Sequence, residues 1–133
     1  MKIMLDTNVI ISAIVFGGRA KQVITLLQEL NQDICVSEYV EDELKNKLEQ
    51  KWPTLAERSY LLYRTLNFRV LASTSKTLGF VRDIKDIPVL SDAIYHEVDI
   101  LLTGDKDFLD LGIKKPLILS PTSLVEYFQS KNE

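Results

Sequence analysis

Acidic residues stand at unusual places in this chain. Asp6 ends the apolar run Ile3 to Leu5 in "KIMLDTNVII", and Asp105 follows "ILL" after Thr103 and Gly104. Asp83 and Asp86 stand just before Pro88, and Glu43 lies in "SEYVEDEL" one turn after Tyr39 and Val40. Carboxylates gathered in one pocket repel each other unless protons or cations compensate. Hard divalent cations are their natural partners, and Mg²⁺ or Mn²⁺ suit carboxylate-plus-water coordination. A zinc site has no ligand set to draw on, because His96 is the one histidine and Cys35 the one cysteine. Carboxylate-held metals activate water and stabilise the leaving oxygen in phosphodiester cleavage, which needs no basic nucleophile.

Each acid also has a plainer role open to it. Asp6 serves as well for the N-cap of the first helix, with Thr7 and Asn8 as further capping residues. Asp86 and Asp107 precede short helices that they could cap, and Glu43 could be an ordinary helix-surface acid. Asp92 falls about a quarter turn off its helix's apolar stripe, which turns it toward solvent. His96 reads as a partly buried helix residue, and Cys35, between Ile34 and Val36, as a small buried hydrophobe. The case for chemistry rests on the acids arriving together.

The elements decide whether they can. Ile3 to Leu5 reads as a buried strand and "NVIISAIVF" as a helix, broken at Gly17-Gly18. A second helix is expected from about Lys21 to Leu30, and "DICV" as the next strand. Ser37 is placed to cap a helix with Glu38, Glu41 and Asp42 in its first turns. Residues after Pro53 to about Leu66 form a helix with Leu55, Leu62 and Leu66 as apolar positions. "FRVL" is a strand, "ASTSKTLGF" a polar loop, and Pro88 opens a helix bearing Val89, Leu90, Ala93 and Ile94. "DILLT" and "LIL" are strands separated by the short helical turn "KDFLDL", and Pro121 opens a last helix. Strands alternating with helices predict a three-layer α/β/α sandwich around a parallel sheet of four to five strands. In such sheets ligands bind beyond the carboxyl ends of the strands, where Asp6 and Asp105 both fall.

The 133 residues suit one domain, residues 1–133, with 46% hydrophobic and 26% charged side chains as in globular proteins. No apolar run is long enough to span a bilayer, and "MKIMLDTN" lacks a signal-peptide pattern. The lone cysteine fits a reducing cytoplasm. A net charge of −3 is unlike a dedicated nucleic-acid-binding surface, unless bound cations neutralise the clustered acids.

"MLDTNVIISA" and "DILLTGDKDFLDL" together resemble the PIN domain, and "RDIKDIPVLSDAI" resembles its branch of toxin components of toxin–antitoxin systems. The resemblance runs from Lys2 to about Phe128. It implies a Mg²⁺- or Mn²⁺-dependent endoribonuclease in which metal-activated water attacks an RNA phosphodiester. By the same resemblance Asp6, Glu43, Asp86 and Asp105 are the metal-binding and catalytic acids. Asn8 or Thr7 would orient Asp6, and Thr103 would support the site by hydrogen bonding. Asp92 is an alternative third acid, although the spacing back from Thr103 favours Asp86, and Asp107 is a second candidate at the fourth. Arg19, Lys21, Lys45, Lys47, Lys85 and Lys106 are candidates for phosphate contacts, and each serves equally as a solvated surface charge. Relatives of this kind are neutralised by a small antitoxin protein and often form homodimers.

Two other readings fit the same residues. A degenerate PIN-like module could bind RNA or protein without cleaving it. A different Mg²⁺-dependent phosphoryl-transfer domain is another, but receiver domains pair two acids after the first strand, and Asp6 has no acidic neighbour.

Overall fold

A strand covered on both faces needs apolar side chains pointing both ways. Strand β1 (Lys2–Leu5) meets that demand, since Ile3, Met4 and Leu5 are all fully buried. So does β4 (Ile100–Leu102), with every side chain buried, and most of β2 (Asp33–Ser37). The computed structural model describes residues 1–74 and 87–131. Its strands form one parallel sheet in the order β3-β2-β1-β4-β5, with β3 at Arg69–Leu71 and β5 at Leu117–Leu119. Helices cover both faces, which gives the expected three-layer α/β/α sandwich.

The order reverses at β1. The chain moves from β1 through β2 to β3 on one side, then crosses back to β4 and β5 on the other. Loops leaving β1 and β4 therefore diverge, and the carboxyl ends of those two strands are where sheets of this topology place their binding crevice.

Helix α1 (Thr7–Ile11) continues as a π-helical turn over Ser12–Phe16, so the run "NVIISAIVF" is helical but widens half-way. It stops where Gly17 takes φ 80°, a left-handed conformation that costs glycine little. Helix α2 (Gly18–Glu29) then starts three residues earlier than its apolar pattern suggested. Ser37 caps α3 (Glu38–Lys51) as expected, its Oγ accepting the Val40 amide at 3.1 Å. Helix α4 (Ala56–Thr65) departs from expectation. Leu55 and Leu62 are 42% and 48% exposed, and the inward face is Ala56, Ser59 and Tyr63. A hydrogen bond selects that face: the Tyr63 hydroxyl donates to Glu41 Oε2 of α3 at 2.9 Å. Helices α5 (Ile87–Tyr95), α6 (Lys106–Leu109) and α7 (Pro121–Lys131) match the predicted elements. Of the polar stretch "ASTSKTLGF", Ala72 to Thr74 are irregular, and the rest lies outside the described residues. Cys35 is buried with its thiol pushed up to about 12 by burial and then by Asp33, as suits an inert core residue.

Helix α3 carries the candidate site residue Glu43, and its cap can be tested. Ser37→Ala removes the bond to the Val40 amide and should cost about 1 kcal/mol. Urea denaturation would register this as a lower midpoint with an unchanged slope. An unaltered midpoint would mean that Ser37 does not cap α3.

Candidate active site

Backbone hydrogen bonds join the strand ends at the floor of the crevice. The Asp6 amide donates to the Leu102 carbonyl at 3.0 Å, and the Thr103 amide to the Leu119 carbonyl at 3.0 Å. These bonds extend the sheet one residue past β1 and β4 and bring Asp6 beside Thr103. The Thr103 hydroxyl donates to Asp6 Oδ2 at 2.8 Å, and the Thr7 amide donates to Oδ1 at 2.8 Å. Asp6 is 2% exposed. It caps α1 and sits in the crevice at once, so the two roles open to it in the sequence coexist. An ionised carboxylate offers about four lone-pair positions, and these two bonds leave acceptor capacity unused.

Glu43 reaches the same place from α3. The Thr7 hydroxyl donates a short hydrogen bond to Glu43 Oε1, and the Tyr39 hydroxyl donates to Oε2 at 3.3 Å. Thr7 thus touches both acids, its amide holding Asp6 and its hydroxyl holding Glu43. Asn8 does not orient Asp6: it is exposed, and its Oδ1 accepts from Lys47 Nζ at 3.3 Å. The same ammonium lies 4.0 Å from Glu43 Oε1.

Asp105 joins through Thr103, whose Oγ1 accepts the Asp105 amide at 3.1 Å. Its own Oδ1 accepts the Asp107 amide at 2.9 Å, making it the cap of α6, and Asp107 is exposed in that helix's first turn. Asp83, Lys85 and Asp86 lie outside the described residues. Asp92 corrects the sequence expectation outright, being fully buried rather than turned to solvent. Its Oδ1 accepts the Thr74 amide at 2.7 Å, a bond to irregular chain that no helical periodicity could anticipate. Among the described lysines and arginines, only Lys47 brings its charge to an acid of the site. Arg19, Lys21, Lys45 and Lys106 are exposed. Tyr39 was missed as a site residue, although its position one turn before Glu43 was the available signal.

A family model described as "PIN domain" matches residues 2–107, which spans the crevice and all of these residues. The chain belongs to the PIN domain family. Its fold is similar to that in a crystal structure of VapBC2 from Rickettsia felis bound to a DNA fragment from their promoter. The similarity has a TM-score of 0.69 at 20% identity and covers 90% of this chain and 98% of that one. No curated protein matches this chain.

In this PIN domain, burial raises the Asp6 carboxyl above its ordinary value, and the nearby Glu43 adds to the shift. The bonds from Thr103 and Thr7 oppose it, as does the Lys47 ammonium. A desolvated carboxylate beside a second one, with oxygen as the only donor atom, fits a hard divalent cation in its chemistry. Among the described residues, no three acidic, histidine or cysteine side chains are grouped closely enough to hold a metal ion. Asp6 and Glu43 are linked through Thr7, and Asp105 is attached through Thr103.

The raised Asp6 value sets the sign of a pH effect. Between the ordinary 3.8 and the higher folded value, the folded state holds a proton that the unfolded state has released. Stability therefore falls as pH rises through that window, then levels off above it. In metal-free buffer, wild-type protein should lose thermal stability relative to Asp6→Asn as pH rises from 4, and the difference should then plateau. Parallel curves for the two proteins would show that Asp6 is not strained by burial.

Proposed function

We propose that this PIN domain is a metal-dependent endoribonuclease and the toxin of a toxin–antitoxin pair. Membership of the family supports a nuclease. The observation that carries the reading is the Asp6 carboxylate, dehydrated at the sheet's switch point and joined to Glu43 through Thr7. Asp6, Glu43, Asp86 and Asp105 are the residues assigned to hold Mg²⁺ or Mn²⁺. Such an ion, when bound, makes water a stronger nucleophile and offsets charge on the phosphate and the leaving oxygen.

The chain's own groups prepare that chemistry. Thr103 and the Thr7 amide fix both oxygens of Asp6, so its unused lone pairs face a set direction. Thr7 and Tyr39 do the same for Glu43. Lys47 stands beside the acids as a cation for a backbone phosphate, which brings substrate and carboxylates together despite the net charge of −3. The small antitoxin partner and a homodimer are part of this reading, supported by the sequence resemblance to toxin components. Among the described residues no single helix is long and apolar enough to cross a membrane. The cytoplasm is the compartment this reading assigns, on the resemblance to toxin components and the lone cysteine.

Purified protein incubated with a mixed RNA pool and Mn²⁺ should cleave it, and EDTA should stop cleavage. Asp6→Asn should fall to background, and Thr103→Val should lose about 10–100-fold, the usual range for a residue that orients a ligand. RNA binding by wild type without cleavage in Mn²⁺ or Mg²⁺ would favour the inactive binding module instead.

A further inference from the structure

Residues Ala72 to Thr74 belong to no helix or strand, yet groups of α3, of α5 and of the turn after α5 hold them at several points. From α5, Asp92 Oδ1 accepts the Thr74 amide at 2.7 Å, and from the turn just past that helix His96 Nε2 donates to the Ala72 carbonyl at 2.6 Å. From α3, Glu38 Oε1 accepts the Ser73 amide at 2.9 Å, and the Tyr39 amide donates to Ser73 Oγ at 2.9 Å. The same Tyr39 donates its hydroxyl to Glu43 Oε2. A continuous path of hydrogen bonds and adjoining backbone thus runs from buried Asp92 through Thr74, Ser73 and Tyr39 to a carboxylate of the site.

From this path we infer that Asp92 is a positioning residue of the carboxylate site and not one of its metal ligands. This rests on the nuclease reading above. The Asp92–His96 clasp fixes the segment leaving β3, and that segment fixes the first turn of α3, from which Tyr39 steadies Glu43. Tyr39 is the partner one hydrogen bond from the ligand, a place from which orientation and affinity are set, and Asp92 acts on it through two further hydrogen bonds. Burial serves the role: a carboxyl group shielded from water makes a stronger and better-directed bond to a backbone amide. One feature favours the opposite role. Asp92 Oδ2 is buried with no hydrogen-bonding partner among the described residues, as an oxygen reserved for a cation would be.

The two roles separate cleanly on Asp92→Asn. Asparagine keeps an oxygen for the Thr74 amide but puts a nitrogen donor, which cannot ligate a cation, in the place of Oδ2. Mn²⁺ affinity would be measured by calorimetry for wild type, Asp92→Asn, Asp92→Ala and Glu43→Gln, at a temperature where each is folded. Hydrogen exchange of the Thr74 amide would be followed in parallel. The inference predicts that Asp92→Asn binds Mn²⁺ like wild type and protects the Thr74 amide. Asp92→Ala should lose that protection and weaken Mn²⁺ binding by about threefold to tenfold, up to the lower end of the range for a direct partner of a ligand. Should Asp92→Ala not fold, His96→Ala removes the other end of the clasp and carries the same comparison. Loss of Mn²⁺ from Asp92→Asn as complete as from Glu43→Gln would make Asp92 a ligand and overturn the inference. A folded Asp92→Ala, or His96→Ala in its place, with wild-type affinity would overturn it equally. Wild type that binds no Mn²⁺ would refute the nuclease reading and with it any role for Asp92 at a metal site, leaving the Thr74 amide to report only whether the clasp exists.

Discussion

One carboxylate, held out of water at the point where the sheet changes direction, sets the terms for the rest of this molecule. Asp6 can stand there because β1 and β4 are neighbours, so that the first residue past one strand meets the first past the other. Burying it works against its ionised form, and the two hydrogen bonds it accepts offset that only in part, since its carboxyl stays raised. In that condition its hydrogen bonds do not recover what burial costs the ionised form. On the function proposed above it is a group kept ready for a cation, whose charge would reverse the balance.

The second acid depends on the first through a threonine. Thr7 is buried and bonded at both its amide and its hydroxyl, so α1 cannot shift without disturbing Asp6 and Glu43 together. Helix α3 is held just as firmly at its other contacts. Ser37 caps it, Tyr63 ties Glu41 to α4, and Ser73 fastens its first turn to the chain that leaves β3. Glu43 is therefore a side chain on a rigid element, which is how a site keeps its geometry without metal to organise it.

Much of this arrangement was legible in the residues. The continuous apolar runs of β1 and β4 require cover on both faces, and Ser37 announces α3 by its type and place. The motifs around Asp6 and Thr103 placed both at one sheet edge, where the structure has them bonded. What stayed hidden was set by tertiary hydrogen bonds. Helix α4 turns Tyr63 inward and Leu62 outward because Glu41 waits on α3, and no periodicity within α4 contains that fact. Asp92 looked solvated for the same reason: its partner is the amide of Thr74, far from any pattern its own helix displays. Asn8 drew attention through its place in Asp-Thr-Asn, but its carboxamide serves Lys47.

The central claim is that Asp6 is held ready for a divalent cation, and thermal unfolding with and without Mn²⁺ tests it without any RNA. A ligand that binds only the folded state raises stability by about 2.7 kcal/mol at a hundred times its dissociation constant. Wild-type protein should therefore melt higher in Mn²⁺ than in EDTA, with a shift that grows with Mn²⁺ concentration, while Asp6→Asn shows none. Equal shifts in the two proteins, or no shift in either, would contradict the account.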